Sequence, residues 1–366
     1  MAFSQWEIRD ATGGEIMAPT EAICGRVCLD SRRVQPGDLF VAIPGERFDG
    51  HAFVADAVSS GAAAVLVSRP VPIPPGTGAV LVGDTVRALG ALARYHRRRF
   101  ALPVVAVTGS TGKTTVKEMI ASLGAVRHRV AKTVGNRNNE IGLPLTLLEL
   151  APGDELLVVE MGMRGPGQIA ALAAVAEPQI GVVTNIGLTH LELLGTREAI
   201  AEAKGELPAA LPREGTAVLN ADDPFFPRLA ERTRARVLGF GLSDDAAVRA
   251  EDVRTDGEGS VVAVRGPGWP RFTIRLRVPG EHQVLNALAA AAVGHALGYA
   301  PDEIRAGLEN FAVEPGRGAV VAAREGWAVI DDTYNASPAS VLAALEVLRR
   351  RPAAGRRLAV LGDMLE

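Results

Sequence analysis

Val104-Val105-Ala106-Val107 runs directly into Thr108-Gly109-Ser110-Thr111-Gly112-Lys113-Thr114-Thr115, so an apolar strand must break into a glycine loop and restart as a helix. Glycines let the backbone curl until its N–H groups point at an anion, and the helix start adds the positive end of its dipole. Lys113 supplies a mobile positive charge, and the Thr114 hydroxyl suits the magnesium ion that accompanies a nucleotide. The stretch Thr108, Gly109, Ser110, Thr111, Gly112, Lys113, Thr114 and Thr115 therefore reads as a seat for ATP phosphates. The strict pattern G-x-x-x-x-G-K-[ST] asks for glycine at 107, where this chain has Val107, so the loop is a variant. Its bland rival is a chance glycine turn between a strand and a helix.

A chain of 366 residues has room for two or three domains, and 48% hydrophobic residues suits globular folding. With 39 basic and 42 acidic side chains the net charge is -3, which implies no general attraction to nucleic acid or anionic membrane. Anion binding must then be local. The stretch from Met1 to Gly14 carries Glu7, Arg9 and Asp10 and lacks the apolar core of a secretory signal, so a cytoplasmic location is expected. The most apolar segment, Ala287 to Leu297, falls short of the roughly 20 residues a bilayer crossing needs and reads as a packed helix. Cys24 and Cys28 have no neighbouring Cys or His to complete a zinc site and are expected to be reduced bystanders.

Turn, strand, glycine loop, helix and strand follow one another from Asp30 to Val67, a small α/β module. A Pro/Gly-rich stretch and a basic amphipathic helix ending at Arg97-Arg98-Arg99 lead to a boundary near Phe100. Next come β-type runs at Val104, Leu156, Ile180, Val218 and Val237, most of them separated by helical stretches, which argues for a doubly wound, mostly parallel sheet. Ligands collect at the carboxyl ends of such strands. Val261 to Val278 reads as a hairpin insertion or an antiparallel edge, followed by helices from Val284 and Asp302. A second boundary is expected around Glu314-Pro315-Gly316-Arg317-Gly318. Beyond it the text predicts a strand over Trp327 to Ile330, a helix over Pro338 to Arg350 and a strand over Leu358 to Leu361.

Glu160 ends the buried-type run Leu156-Leu157-Val158-Val159, where a metal or a base commonly sits; an exposed strand-end acid is the plain alternative. His190 closes the polar loop Asn185-Ile186-Gly187-Leu188-Thr189 and could bind metal or phosphate, although a lone loop histidine is more often structural. Lys204, within the helix-like stretch Arg197 to Leu211, says little alone, since a helix lysine is usually solvated. Asn136-Arg137-Asn138-Asn139 could bind sugar hydroxyls, carbonyls or phosphate, or be only an asparagine-rich turn. Asp332 follows the strand before Ser337 and Pro338, which suit a helix cap and first turn, and could hold ribose hydroxyls.

Together these motifs resemble the Mur ligases, amide-forming enzymes of peptidoglycan precursor synthesis. The loop with Val107 is similar to that family's ATP loop. Asp30-Ser31-Arg32, Gly37-Asp38-Leu39-Phe40 and Gly45-Glu46-Arg47-Phe48-Asp49-Gly50-His51 resemble its uridine-nucleotide module. Gly135 to Pro144 and Ala203-Lys204-Gly205-Glu206 resemble the branch that adds D-alanyl-D-alanine. Pro279-Gly280-Glu281-His282 with Asn286-Ala287, then Asp332 to Pro338 and Leu361-Gly362-Asp363-Met364, extend the likeness over nearly the whole chain.

The resemblance implies an α/β protein in three parts: a small UDP-binding domain over 1–99, a central P-loop ATPase-like domain over 100–314, and the start of a Rossmann-like C-terminal domain over 315–366. It implies ATP-dependent joining of D-alanyl-D-alanine to a UDP-N-acetylmuramoyl tripeptide through an acyl phosphate. On the family pattern Lys113 holds the terminal phosphates, Thr114 and Glu160 ligate one Mg2+, and His190 helps bind a second. Lys204 matches a carbamylated lysine that faces metal. Asn286 corresponds to an adenine contact, Asp332 to a ribose contact and Arg317 to the hinge between the last two domains. Gln283 stands where the family often has asparagine. Ser31, Arg47, Asn136, Asn138 and Asn139 are implied in receiving the uridine nucleotide and muramoyl parts. No nucleic-acid or membrane partner is implied, and a monomer is expected.

The family's last domain normally continues well past Gly362-Asp363-Met364, so a chain stopping at Glu366 is expected to bind the UDP substrate yet ligate poorly. The rivals are a ligase adding a diamino acid to the muramoyl dipeptide, a folylpolyglutamate synthase, and a nucleotide-binding module with little turnover.

Overall fold

The computed structural model describes residues 2–45, 48–255, 259–322 and 327–364, which fall into two compact units. The first comprises Met1–Ala101, Thr133–Gly153 and Ala174–Glu177. Its elements begin with α1 (Gln5–Thr12), β1 (Glu15–Ala18), β2 (Arg26–Cys28) and β3 (Asp38–Val41). They continue with α2 (Val54–Ser59), β4 (Ala64–Val67), β5 (Gly78–Leu81) and α3 (Thr85–Arg97). The sheet order is β1-β5-β4-β3-β2, with β2 to β5 parallel and β1 antiparallel at the edge. β3 and β4 are buried along their whole length, as strands covered on both faces must be, and apart from Asp38, which pairs with Arg26, they are apolar. Asp84 caps α3 by accepting the Val86 and Arg87 N–H groups at 2.8 and 3.0 Å. Cys24 and Cys28 are free and buried, and burial pushes the Cys24 thiol up to about 12.

The second unit takes up Leu102–Lys132, Asp154–Ala173 and Pro178–Glu366. It starts with β6 (Val104–Thr108), α4 (Lys113–Gly124) and β7 (Val130–Lys132). Helix α5 (Gly142–Leu148) belongs to the first unit, within Thr133–Gly153. Then follow β8 (Leu156–Glu160), α6 (Gln168–Ala176), β9 (Ile180–Val183), α7 (Leu191–Leu194), α8 (Arg197–Lys204), α9 (Glu206–Ala209) and β10 (Thr216–Asn220). After α10 (Phe226–Glu231) come β11 (Arg236–Gly241), β12 (Val248–Thr255), β13 (Ser260–Arg265) and β14 (Phe272–Leu276). The last elements are α11 (Glu281–Ala296), α12 (Pro301–Glu309), β15 (Ala319–Ala322), β16 (Ala328–Asp331) and α13 (Pro338–Arg350).

Nine strands run in the order β14-β13-β12-β11-β10-β9-β6-β8-β7. From β7 to β12 neighbours are parallel, and β12 to β14 add an antiparallel edge, the alternative foreseen for Val261 to Val278. The chain leaves β6 toward β7 and β8 on one side and later toward β9 on the other, so the order reverses at β6. A crevice opens at the carboxyl end of a strand where order reverses, and β6 is the strand that feeds the glycine loop. Behind it α11 packs on α4 with an alanine-rich face buried in the core.

Two expectations need correction. Leu358 to Leu361 forms no strand: it finds no pairing partner among the described residues, and Leu358, Val360 and Leu361 are exposed. The strand that pairs with β16 is instead β15, antiparallel, with Ala319 opposite Asp331. The stretch Arg197 to Leu211 is two helices, because Pro208 has no N–H to give to the Lys204 carbonyl and the α-helical ladder stops there. Among the described residues no helix is long and apolar enough to cross a membrane.

Candidate active site

β6 is fully buried, and Val107 lies opposite Glu160 of β8 in the parallel register. Position 107 is thus core strand, and the chain turns only at Gly109, where φ is +146°. A Cβ at Gly109 would lie 1.8 Å from the Thr184 hydroxyl oxygen, so this position admits no side chain. Beyond it the loop is stitched to the end of β9. Ser110 N–H donates to the Asn185 carbonyl at 3.0 Å, and the Ser110 hydroxyl accepts from Gly187 N–H at 2.8 Å. Thr111 N–H donates to Asn185 Oδ1 at 3.1 Å, while the Thr111 carbonyl accepts from the Thr184 hydroxyl at 2.6 Å. Gly112, at φ +80°, precedes α4 without a side-chain cap, leaving the helix's first N–H groups to an anion. Thr115 lies in that first turn.

Five charged or polar groups converge on this loop. Lys113 Nζ donates to the carbonyls of Gly109 (2.9 Å) and Ser110 (3.2 Å), and Lys204 Nζ donates to the same Gly109 carbonyl at 3.0 Å. Lys204 is buried, and desolvation, aided by the Lys113 charge, holds its amine well below the usual lysine range. Lys113 is lowered too, by desolvation, with Glu160 opposing and Arg317 adding to the shift. The Thr114 hydroxyl donates to Glu160 Oε2 at 2.9 Å, and Arg317 Nη2 donates to the Thr114 hydroxyl oxygen at 3.2 Å. The Arg317 guanidinium also stacks on Tyr334, 3.8 Å from the ring centre. Burial raises the Asp332 carboxyl, and Arg317 opposes that shift. The buried Asn286 amide bonds to Gln283 Oε1 at 3.1 Å, and its oxygen lies 2.5 Å from where a Gly112 Cβ would sit.

A hydroxyl and a carboxylate in contact are hard oxygen donors of the kind Mg2+ takes. Among the described residues no three His, Cys, Asp or Glu side chains gather as a metal cage. His190 stands at the head of α7 with φ +67°, past the loop that leaves β9.

Other sequence-derived candidates lie in the first unit. Ser31 opens a short 3-10 turn over Ser31–Arg33. Asn136, Asn138 and Asn139 fall in Thr133–Gly153; Asn136 and Asn139 are exposed, and Asn139 Oδ1 accepts from Gly142 N–H at 2.8 Å, so its side chain helps start α5. Arg47 lies outside the described residues. Sequence reasoning placed Asn185 in the polar loop that His190 closes but gave no role to it, to Thr184 or to Asp223. Asp223 Oδ2 accepts from Ile186 N–H at 2.6 Å while Arg197 donates to the Ile186 carbonyl at 2.7 Å, fixing the loop after β9 from both sides. The overlooked signal was Asn220-Ala221-Asp222-Asp223 after Val218-Leu219, the same polar ending of an apolar run that singled out Glu160.

Family models match in order along the chain: Mur ligase family, catalytic domain over 25–97; Mur ligase middle domain over 107–294; and Mur ligase, glutamate ligase domain over 316–366. A Bacillus subtilis relative named UDP-N-acetylmuramoyl-tripeptide--D-alanyl-D-alanine ligase is 40% identical over 341 residues, 93% of this chain and 73% of its own length. The chain belongs to the Mur ligase family. Among solved structures this Mur ligase is similar to MurF from Acinetobacter baumannii, with a TM-score of 0.92 at 33% identity, covering 96% of this chain and 77% of that one. It is also similar to the MurF ligase from Thermotoga maritima in complex with ADP, with a TM-score of 0.82 at 36% identity, covering 89% of this chain and 75% of that one.

Proposed function

We propose that this Mur ligase uses ATP to join D-alanyl-D-alanine to a UDP-N-acetylmuramoyl tripeptide in peptidoglycan precursor synthesis. The observation that carries the reading is the convergence of Lys113, Lys204 and the Thr114–Glu160 pair on one glycine loop. It occurs in a chain that matches relatives of that name over 93% or more of its length. Those names favour the ligase over a nucleotide-binding module with little turnover. The three family matches support a substrate domain over 1–99, an ATP domain over 100–314 and a ligase domain from 315.

A carboxylate is a poor acyl donor. Attack of the tripeptide carboxylate oxygen on the γ-phosphorus releases ADP and leaves an acyl phosphate. The dipeptide amine then adds to the carbonyl carbon, loses a proton and expels phosphate as the amide forms. Lys113 and the first N–H groups of α4 hold the phosphates, and Arg317 adds charge beside Thr114. Thr114 and Glu160 would hold one Mg2+, with His190 and Lys204 toward a second, and the ions when bound supply charge neutralisation at the crowded oxygens. A lone pair on the amine is what adds to CO2, and the burial that pushes the Lys204 amine well below the ordinary lysine range favours that form; carbamylation would turn Lys204 into an anion suited to metal. Asn286 would meet adenine and Asp332 the ribose, while Ser31, Arg47 and Asn136 to Asn139 would take the uridine nucleotide. A cytoplasmic monomer completes the reading.

ADP release should be measured with UDP-muramoyl tripeptide, with and without D-alanyl-D-alanine. Release that depends on the dipeptide is expected. Dependence on a free diamino acid instead, or nucleotide binding with no release, would overturn the assignment.

A further inference from the structure

The phosphate loop takes its shape from the residues that follow β9. Thr184, Asn185 and Gly187 all bond to it, and the Asn185 amide makes two further contacts, to the Thr111 hydroxyl oxygen at 2.9 Å and the Thr111 carbonyl at 3.3 Å. The approach is close: a Cβ at Gly187 would stand 3.1 Å from Ser110 Cβ. A loop held in this way is only as fixed as the segment that holds it.

That segment is gripped in turn through its backbone. From the loop after β10, the buried Asn220 amide donates to the Thr184 carbonyl at 3.1 Å, and the buried Asp223 Oδ2 accepts from Ile186 N–H at 2.6 Å. From α8, Arg197 donates to the Ile186 carbonyl at 2.7 Å. Both backbone polar groups of Ile186 are therefore held by charged side chains, the stronger kind of hydrogen bond. Its two neighbours, Asn185 and Gly187, carry the bonds to Thr111 and Ser110. The grip is itself braced. Asp223 Oδ1 accepts from Phe225 N–H at 2.9 Å, and the Arg197 guanidinium lies over the Phe225 ring, 5.2 Å from its centre. Arg197 precedes Lys204 by seven residues, two turns along α8, so this helix holds the phosphate loop both through Ile186 and directly at the Gly109 carbonyl.

We propose that Asp223 is a positioning residue for nucleotide binding: with Arg197 on the other backbone group, its carboxylate pins Ile186 and so sets the register in which Asn185 and Gly187 hold the phosphate loop. The inference rests on the reading of that loop as the ATP seat. Both Asp223 oxygens are taken up by the backbone N–H groups of Ile186 and Phe225, so its effect on the loop passes through Ile186.

Affinities for MgADP and for UDP-muramoyl tripeptide should be measured for the wild type, D223A, D223N, N185A, R197A and D223A/N185A, with thermal unfolding to confirm folding. D223A should weaken MgADP binding by about tenfold or more and change tripeptide affinity by less than about twofold. D223N keeps an oxygen for Ile186 N–H and is expected within about threefold of wild type. In the N185A background the Asp223 change should cost no more than about threefold, because the side chain it positions against Thr111 is gone. Wild-type MgADP affinity of D223A, failure of D223N to rescue, losses that multiply in full in the double variant, or an equal loss for both ligands would overturn the inference. Should D223A not fold, R197A frees the other side of Ile186 and is judged in its place, with wild-type MgADP affinity again the overturning result. A wild type that binds MgADP but releases no ADP on dipeptide addition counts against the ligase reading alone, whereas one without MgADP affinity overturns both.

Discussion

Lys204 shows how far a single side chain can depart from its sequence appearance. A lysine toward the end of a short helix reads as a solvated cation, yet this one is buried with its amine on the Gly109 carbonyl. Nothing in Ala203-Lys204-Gly205 announces that the loop after β6 will lie over it, because the contact spans ninety-five positions. Only the family likeness marked the residue. Glu160, by contrast, was legible from its place at the end of an apolar run. The depressed amine has a thermodynamic consequence. In metal-free, CO2-stripped buffer at neutral pH the unfolded chain protonates Lys204 and the folded one resists it, so unfolding takes up a proton and stability rises with pH toward the ordinary lysine value of 10.5. Lys204→Met is expected to raise the unfolding midpoint at neutral pH, with the gain shrinking as pH climbs toward that value. The same variant should lower dipeptide-dependent turnover by about a hundredfold or more. A midpoint that falls at neutral pH would contradict the burial argument.

At the scale of elements, helix α4 carries the phosphate loop at one end and is held by close backbone approach at the other. Gly307 of α12 lies so near that an added Cβ would stand 2.4 Å from the Leu123 backbone, and the Ser122 hydroxyl donates to the Gly307 carbonyl at 2.7 Å. Rigid backbone leaves no room to relax. Gly307→Ala is therefore expected to destabilise the second unit by about 1–3 kcal/mol, read as a lower urea midpoint with unchanged slope. The fully buried strands could be read from sequence because burial on both faces leaves a continuous apolar run with no competing pattern. Leu358 to Leu361 has the same composition and forms no strand, since a strand exists only through its neighbour. β15 went unread for the complementary reason: Ala319 to Ala322 is only four residues long, and its pairing with β16 is what defines it.

For the whole molecule, strand alternation was enough to foresee a doubly wound sheet with the loop at a carboxyl end, but not the nine-strand order or its reversal at β6. Order depends on long-range pairing that local patterns do not encode. The arrangement gathers the proposed nucleotide contacts, from Thr108 to Asp332, within the second unit. A ligand bound there stabilises that unit by mass action. MgADP at a hundred times its dissociation constant should add about 2.7 kcal/mol to unfolding of the second unit. Chelation by EDTA should remove most of that gain, and an increment indifferent to EDTA would speak against an ion shared by Thr114 and Glu160.

The Asn286 amide rests against Gly112, the last residue before α4. In the proposed reading the helix that senses the base and the cradle that grips the phosphates therefore move as one lever, with no slack between them. A nucleotide carrying the wrong base would be penalised twice, first in how tightly it is held and again in how well its γ-phosphorus is aimed.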